Sequence, residues 1–193
     1  APVLAVNTPM AFRSGTVGQL LPGIQHQLVP VPGIPSGGML HVKGPNLMSG
    51  YLRFEQPGVL QPPVSPAGEG WYETGDVVEI DDDGFVKIVG RVKRFAKVAG
   101  EMVSLESVEK LAAAAAPGAT HAASTQPDAS RGENILLFST DPTLTRDRLQ
   151  AAARDGGWPE IAVPRRIVLV DALPLLGTGK IDYVTLKQWA EKA

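Results

Sequence analysis

The chain changes character near Arg91, and this change constrains its fold more than any other feature. Residues 1–91 are dense in glycine and proline, and their apolar residues come in short runs between turn signals. Such runs are typical of β-strands. Residues 92–193 instead alternate strand-like segments with segments of helical periodicity. We therefore expect an α+β fold, with a β-rich part over 1–91 and a small α/β domain over 92–193.

The clearest pattern in the first part is a β-hairpin. The segment VVEIDDDGFVKIVG has two alternating runs around the turn DDDG, where Gly84 is free to adopt a positive φ. The stretches GQLLPGIQHQLVPV and GGMLHVKG are also typical of strands. Residues 55–70 are rich in proline, which predicts a surface loop.

Capping residues indicate helices in the second part. Ser104 is suited to cap a helix over about 105–116, which Pro117 and Gly118 would end. Thr145 is suited to cap a second helix in TRDRLQAAARDG, and DYVTLKQWAEKA predicts a terminal one. The segments THAASTQ, NILLFST and RRIVLVDAL are expected to be strands.

The composition argues against several functional classes. The net charge of −2 gives no indication of a nucleic-acid partner. The absence of cysteine excludes disulfides, thiolate metal sites and a cysteine nucleophile, and the three histidines lack metal-ligand spacing. The longest apolar run, LAAAAAPGA, is too short and too broken to span a bilayer. We expect no metal site, no nucleic-acid binding and no transmembrane segment in this chain.

The first of three segments suited to chemistry is WYETGD. Asp76 would lie in a tight Thr-Gly-Asp turn before a strand, and Arg91 would end the second strand of the same hairpin. A carboxylate held at a turn can accept hydrogen bonds from paired ribose hydroxyls. The alternative is an ordinary turn with a surface aspartate.

The second segment is the basic segment, which runs from Lys87 to Gly100. Gly100 permits unusual backbone angles. The basic residues of the segment are Lys87, Arg91, Lys93, Arg94 and Lys97. They indicate either a docking surface for an anion or acidic partner, or a solvated edge strand that resists aggregation.

The third segment is LPLLGTGKIDYVTL, which places Lys180 at the tip of a glycine loop between a strand and a helix. It is not a nucleotide-binding P-loop, because the required G-x-x-x-x-G-K-[ST] spacing is absent. The lysine is either a functional cation or an exposed surface residue.

The order and spacing of TGD, GRVKRFAKVAGEMVSLESVE and PLLGTGK resemble the adenylate-forming superfamily of acyl-CoA synthetases, peptide-synthetase adenylation domains and luciferases. GTVGQLLPG resembles the segment that follows the acyl-adenylate motif of that family. KRFAKVAGEMVSLESVE, STDPTLTRDRLQ and PLLGTGKIDYVTLK are similar to the acyl-acyl-carrier-protein synthetase half of bacterial 2-acylglycerophosphoethanolamine acyltransferase/acyl-acyl-carrier-protein synthetases.

The resemblance implies a fold and a set of residue roles. Residues 1–91 would be a β-barrel-like subdomain that ends a large amino-terminal domain, and 92–193 a small mobile domain. By family position, Asp76 would bind the ribose hydroxyls of ATP or AMP, Arg91 would help to hold the nucleotide, and Lys93 would be the hinge.

The remaining implied roles concern catalysis. Lys180 would be the adenylation lysine, which neutralises charge when a carboxylate attacks the α-phosphate. After rotation of the small domain, the loop of Ala99, Gly100 and Glu101 would face the active site for thioester formation.

Family members use ATP and Mg²⁺ to form acyl-AMP and pass the acyl group to a thiol. The resemblance implies a fatty acid as substrate and acyl carrier protein as acceptor. The alternatives are coenzyme A as acceptor, or a non-catalytic docking module. The family's phosphate loop and acyl-adenylate motif are expected upstream of Ala1, so this chain alone should be inactive and bind no ATP, AMP or Mg²⁺ tightly. We expect a location on the cytoplasmic side, which leaves open whether a longer parent protein associates with the bacterial inner membrane.

Overall fold

The structure is a computed structural model that describes residues 3–193. The chain divides into two compact units. Unit 1 ends at Lys93, and unit 2 covers Arg94–Ala193. The division therefore falls two residues beyond the composition change at Arg91, which set the sequence-based boundary.

Unit 1 consists of antiparallel strands. They are β1 (Ala5–Val6), β2 (Gln19–Leu20), β3 (Gln25–Val29), β4 (Gly38–Lys43), β5 (Tyr51–Leu52), β6 (Leu60–Gln61), β7 (Val64–Ser65), β8 (Gly68–Glu69), β9 (Tyr72–Ile80) and β10 (Val86–Arg91). The four longest form one sheet in the order β10-β9-β4-β3, and the short strands pair as β1-β2, β5-β6 and β7-β8. The proline-rich segment 55–70, predicted as a plain loop, therefore contains β6, β7 and β8.

The hairpin β9–β10 forms as predicted. Gly84 adopts a φ of +81° in its turn. Asp81 Oδ1 accepts hydrogen bonds from the backbone N–H groups of Phe85, at 2.9 Å, and Asp83, at 3.1 Å. The bond from Phe85 is the main reason that the pKa of the Asp81 carboxyl is lowered.

Unit 1 is an open sheet, not the barrel-like subdomain expected by resemblance. Among residues 3–193, the edge strands β3 and β10 do not pair with each other. A barrel closes only when enough strands tilt and stagger together. Here four strands have useful length, and the others are two residues long. A small apolar cluster covers the sheet and includes Leu40, Val42, Val78 and Val86.

Unit 2 follows a short 3₁₀ turn, Val92–Arg94. Its elements are β11 (Phe95–Val98), β12 (Glu101–Ser104), α1 (Leu105–Ala115), β13 (His121–Asp128), β14 (Gly132–Ser139), α2 (Arg146–Gly156), a 3₁₀ turn (Glu160–Ala162), β15 (Arg166–Leu169) and α3 (Tyr183–Lys192). The predicted helices and strands of this part are thus confirmed to within a few residues.

Strand β14 is the centre of unit 2. It pairs antiparallel with β13 along its whole length, antiparallel with β11 at its start, and parallel with β15. Ile135 and Leu137 pack into the core beneath α1 and α2, whereas Leu136 and Phe138 pack against α3. Because both faces are covered, the strand is a continuous apolar run rather than an alternating one.

The helices begin where their capping residues predict. The side chain of Ser104 accepts a hydrogen bond from Ser107 N, and that of Thr145 accepts one from Arg148 N. Gly157 ends α2 in the left-handed region, with a φ of 71°. An amino-terminal cap such as Ser104 or Thr145 typically contributes about 1 kcal/mol to the free energy of unfolding.

Candidate functional site

Asp76 and Arg91 lie opposite each other in the hairpin of β9 and β10, as register partners. Arg91 Nε and Asp76 Oδ1 form an ion pair at 2.9 Å. The carboxylate is 23% exposed and the arginine side chain 70%. No protein donor lies on Asp76 Oδ2 within residues 3–193. The pair therefore presents one free carboxylate oxygen that can accept hydrogen bonds from hydroxyl groups.

The Thr-Gly-Asp segment is a bulge inside β9, not the turn before a strand that the sequence predicts. Residues 74–76 lie opposite Leu40 alone in the pairing with β4. Gly75 has a φ of +76°. Thr74 Oγ1 donates to the carbonyl of Leu40 at 2.9 Å and accepts from Asp76 N at 3.0 Å. These bonds fix the backbone at Asp76, and bulges are a common means of directing a side chain out of a sheet.

A cavity of about 390 Å³ adjoins this pair within unit 1. Its lining is mostly apolar and includes Leu20, Leu40, Val78 and Ile88, with Asp76 and Arg91 as charged members. Apolar walls with a few fixed polar groups are typical of small-molecule sites. The cavity is therefore suited to a ligand that carries both an apolar part and hydroxyl groups.

The basic segment does not form one free surface. Lys87, Arg91 and Arg94 each form an ion pair with a carboxylate of their own unit. Lys93 and Lys97 form none within the part of the chain that the structure describes. Lys93 is exposed in the 3₁₀ turn and is the last residue of unit 1. Within the described part of the chain, the predicted docking surface for an anion or acidic partner is thus reduced to Lys93 and Lys97.

Arg94 belongs to a cluster that sequence reasoning missed. Its Nη2 donates to Glu109 Oε1 at 2.7 Å, and its guanidinium lies 3.6 Å from the ring centroid of Tyr183. The same Glu109 oxygen accepts from Ala123 N at 2.8 Å. Arg94 is 15% exposed and Glu109 16%. Burial raises the pKa of the Tyr183 phenol, and the charge of Glu109 raises it further.

The cluster connects the first residue of unit 2 with the first residue of α3. No short-range sequence signal could have revealed it, because Arg94, Glu109 and Tyr183 are far apart in the chain. Only the packing of α1 and α3 on their strands brings them together. The cluster therefore fixes the start of α3 relative to the start of the unit.

Ala99 and Gly100 form a two-residue turn between β11 and β12, where Val98 and Glu101 are register partners. Their φ angles are 51° and 90°. Positive φ at both central residues is the requirement of a type I′ hairpin turn. Ala99 is the one non-glycine residue with positive φ among residues 3–193, and its N–H donates to the carbonyl of Arg131 at 2.8 Å. Glu101 is exposed.

Lys180 lies in a tight loop just before α3. Within the loop, Leu176 N donates to the carbonyl of Lys180, and Gly179 N donates to the carbonyl of Leu176, both at 2.8 Å. Asp182 N closes the loop on the carbonyl of Pro174 at 2.8 Å. The side chain of Lys180 is exposed and forms no ion pair or hydrogen bond with the described residues. A free cation is thus held on a backbone that its own hydrogen bonds define.

Asp182 joins this loop to α3. Its carboxylate accepts hydrogen bonds from the hydroxyl of Thr185 and from the N–H groups of Thr185 and Val184. These bonds, led by that of the Thr185 side chain, lower the pKa of Asp182. The helix cap therefore fixes the position at which the Lys180 loop ends.

The sequence-predicted site residues fall into separate groups. Asp76 and Arg91 are in contact, and Ala99 to Glu101 share one turn, whereas no hydrogen bond or ion pair in residues 3–193 joins Lys180 to that turn. Over the same residues, no group of three or more metal-ligating side chains converges. None of the helices described is long and apolar enough to cross a membrane.

Comparison with known proteins identifies relatives over most of the chain. The chain is 32% identical over 190 residues to long-chain-fatty-acid–CoA ligase of Salmonella typhimurium. This alignment covers 94% of the chain and 32% of the relative. The chain is 35% identical over 168 residues to pseudomonine synthase PmsE of Pseudomonas entomophila, covering 85% and 26%. The chain thus spans between a quarter and a third of these relatives. No family model matches it.

Solved structures show the same similarity. ATP-bound MatB from Rhodopseudomonas palustris superposes with a TM-score of 0.72 at 27% identity, covering 91% of this chain and 35% of that one. The amide bond synthetase McbA from Marinactinospora thermotolerans gives a TM-score of 0.67 at 28% identity, with 91% and 36% covered. In sequence and fold, the chain belongs to the adenylate-forming ligase superfamily and corresponds to the carboxy-terminal region of its members.

Proposed function

We propose that this chain is part of an ATP-dependent ligase that converts a fatty acid to acyl-AMP and transfers the acyl group to a thiol. The observation that carries the proposal is the alignment of 94% of the chain with a long-chain-fatty-acid–CoA ligase. In this proposal, residues 1–91 end the large domain of the ligase, and residues 92–193 are its small mobile domain.

The nucleotide is assigned to unit 1. The free Oδ2 of Asp76 accepts a hydrogen bond from a ribose hydroxyl of ATP or AMP, while the ion pair with Arg91 orients the carboxylate. The fixed bulge at Thr74 and Gly75 supports this role, because a preorganised acceptor loses little entropy when a ligand binds.

Two parts of unit 2 serve the two chemical steps. Lys180 provides the cation for adenylation, which its exposure and the absence of a partner among residues 3–193 allow. The turn of Ala99 and Gly100, with Glu101, serves thioester formation. Lys93 is the hinge, and its solvated side chain is compatible with a change of backbone angles. The ligase uses ATP with Mg²⁺.

Two acceptors are compatible with this function. The similarity of KRFAKVAGEMVSLESVE and PLLGTGKIDYVTLK to acyl-carrier-protein synthetases favours acyl carrier protein. The alignments with a long-chain-fatty-acid–CoA ligase and with 3-methylmercaptopropionyl-CoA ligase of Ruegeria pomeroyi favour coenzyme A at least as strongly.

The test is a paired acceptor assay on the protein that contains this chain together with the amino-terminal part of the ligase fold. ATP, Mg²⁺ and a long-chain fatty acid should give acyl-AMP and pyrophosphate. Addition of carrier protein or coenzyme A should then give a thioester with one acceptor in preference to the other. Absence of pyrophosphate release with every acid tested would contradict the ligase assignment.

A pair of matched variants, with the control at Asp83, tests the role of Asp76 in nucleotide binding. The substitution Asp76→Asn preserves size but removes the charge that pairs with Arg91. It should weaken nucleotide binding and slow both half-reactions, because the ribose is held in each. Asp83→Asn, at the tip of the same hairpin, removes an equal charge from the turn and should leave nucleotide binding unchanged.

A further inference from the structure

Tyr183, the first residue of α3, follows Lys180 after only two intervening residues. The connection between them is short and ordered. Asp182 N donates to the carbonyl of Pro174 at 2.8 Å, and the Asp182 carboxylate caps α3. Because this connection has little slack, a displacement of the first turn of α3 also moves the backbone of Lys180.

The ring of Tyr183 lies against a guanidinium that is itself fixed. The guanidinium carbon of Arg94 is 3.6 Å from the ring centroid, and Arg94 Nη2 donates to Glu109 Oε1 at 2.7 Å. The Tyr183 hydroxyl is 3.4 Å from each oxygen of that carboxylate, which is long for a hydrogen bond. The face of the ring, more than its hydroxyl, therefore makes the contact that holds Tyr183.

Glu109 connects this contact to the sheet of unit 2. Its Oε1 also accepts from Ala123 N of β13 at 2.8 Å, so one carboxylate oxygen joins the arginine to a strand. Glu109 belongs to α1, whose Val108 and Leu111 are fully buried. The ring of Tyr183 thus rests on a guanidinium whose position is set by a helix and a strand.

The remainder of α3 is anchored by different contacts. Leu186 and Ala190 are fully buried in the apolar cluster that contains Phe138. The ring centroid of Trp189 lies 6.1 Å from that of Phe138. These contacts hold the middle and the end of the helix, whereas the contact with Arg94 holds its first residue.

The turn of Ala99 and Gly100 is held in place without Tyr183. Strand β11 pairs with β12, Val98 pairs with Gly132, and Ala99 N donates to the carbonyl of Arg131 at 2.8 Å. Loss of the Tyr183 ring should therefore displace the Lys180 loop and leave this turn where it is.

We propose that Tyr183 and Arg94 are positioning residues for Lys180 in the adenylation step. The inference rests on the proposed ligase function, in which Lys180 supplies the cation for acyl-AMP formation. The stacked pair joins the residue after Lys93, the proposed hinge, to the helix that follows the Lys180 loop. Correct placement of the cation matters, because a shift of about 1 Å can lower a rate by about 10²-fold.

The first test compares Tyr183→Ala with Tyr183→Phe in the ligase that contains this chain. Tyr183→Ala should lower kcat of acyl-AMP formation by about tenfold or more. KM for ATP should change little, because the nucleotide is assigned to unit 1. Acyl transfer from supplied acyl-AMP should also change little. Tyr183→Phe retains the ring face and should keep the kcat of the parent enzyme.

Tyr183→Leu separates the flat ring from mere apolar bulk. It keeps an apolar side chain at the start of α3 and should nevertheless lower kcat as Tyr183→Ala does, because it cannot stack on Arg94. Parent-like kcat in both Tyr183→Ala and Tyr183→Leu would overturn the proposal. So would an equal loss in both half-reactions, since that would indicate general damage to the unit.

Trp189 provides the matched control, because it is an aromatic residue of the same helix that packs on Phe138 instead. Trp189→Leu removes this aromatic pair but keeps an apolar side chain. Assayed well below its unfolding temperature, it should retain the kcat of acyl-AMP formation. A loss equal to that of Tyr183→Ala would show that any loosening of α3 is sufficient, which contradicts a specific positioning contact.

Amide hydrogen exchange on this 193-residue chain tests the contact without catalysis. The amides of Leu176 and Gly179, whose hydrogen bonds close the Lys180 loop, should exchange about tenfold faster in Tyr183→Ala, whereas that of Leu137 in β14 should keep its protection. Unchanged exchange at Leu176 and Gly179 contradicts the positioning contact. A parent enzyme that forms no acyl-AMP contradicts the proposed function instead, so the two failures are distinguishable.

Discussion

Lys180 and Arg94 are both cations of unit 2, but their surroundings differ. Lys180 is exposed and has no protein partner among residues 3–193. Arg94 is 15% exposed, paired with Glu109 and stacked on Tyr183. A free cation can neutralise charge that develops on a substrate, whereas a paired one holds the fold together. Substitution of Lys180 is therefore tested by its effect on activity, and substitution of Arg94 by its effect on the free energy of unfolding.

The first prediction concerns Lys180→Ala in the ligase that contains this chain. If the lysine acts only in adenylation, acyl-AMP formation should fall by about 10²–10³-fold, the usual cost of removing a charge partner of the transition state. Acyl transfer from supplied acyl-AMP should change little. The measurement follows pyrophosphate release and thioester formation separately.

The control for this prediction is Lys192→Ala, a second exposed lysine at the end of α3. It should leave both half-reactions unchanged. Equal loss of both half-reactions in Lys180→Ala would contradict a role limited to one step, and no loss in either would contradict the assignment itself.

The second prediction concerns Arg94. Arg94→Ala should lower the free energy of unfolding of unit 2 by about 2–3 kcal/mol, because it leaves the mostly buried Glu109 without its partner. Arg94→Lys should fall between, since it keeps the charge but not the planar stacking on Tyr183. Chemical denaturation followed by fluorescence measures both.

Arg91→Ala is the comparison, because its ion pair with Asp76 is largely exposed and should contribute less than about 1 kcal/mol. The cluster also predicts a pH dependence. The pKa of Tyr183 is raised in the folded state. Its contribution to stability is therefore complete below the ordinary tyrosine pKa of about 10 and is lost as the pH rises through the raised value. A Tyr183→Phe variant should lack this alkaline loss.

At the scale of elements, local signals predicted what local interactions determine. The hairpin turn at Gly84 and the helix starts at Ser104 and Thr145 depend on residues next to one another in sequence. The bulge at 74–76 could not be predicted in the same way, because it arises from the register with β4. The barrel expectation failed for a similar reason: sheet closure depends on which edge strands meet.

The candidate site divides along the same line. The sequence could place Asp76 and Arg91 on one hairpin, but their exact pairing also depends on a register shift between Ile88 and Gly90. The cluster of Arg94, Glu109 and Tyr183 could not be predicted in this way, because it forms only when α1 and α3 pack on their strands. The sequence thus predicts which residues share a hairpin, but it does not predict contacts between residues of distant elements.

The third prediction concerns the turn between β11 and β12. Ala99 holds a φ of 51°, a region that alanine adopts at a cost and asparagine tolerates. Ala99→Asn would create the Asn-Gly sequence that type I′ turns prefer. We expect it to raise the free energy of unfolding of unit 2 by up to about 1 kcal/mol.

Ala99→Val is the opposing variant, because a β-branched side chain is strained in the left-handed region. It should destabilise the unit, and thermal unfolding of the two variants side by side measures the difference. If both variants are equally destabilised, the interpretation of this turn as type I′ is wrong.

At the scale of the whole molecule, each unit has its own apolar core. One cluster, around Leu40 and Val78, belongs to unit 1. Two others, around Leu111 and Phe138, belong to unit 2. Among residues 3–193, each of these core clusters consists of residues of one unit, which is typical of separate folding units.

The fourth prediction follows from this separation. Residues 94–193 expressed alone should fold, with dispersed amide NMR signals and one cooperative thermal transition. A control that stops before Tyr183 removes α3 and should not, because one face of the sheet then stays uncovered. A collapsed, poorly dispersed spectrum for 94–193 would show that unit 2 requires unit 1.

The central position of β14 also matters during synthesis on the ribosome. Leu136 and Phe138 are translated well before α3, whose Leu186 and Ala190 cover them in the finished unit. A nascent chain that has reached only β15 therefore carries an apolar strand with one bare face, which is the kind of surface that chaperones bind and proteases remove. Truncated products that lack α3 should therefore be cleared faster than products in which α3 covers this face.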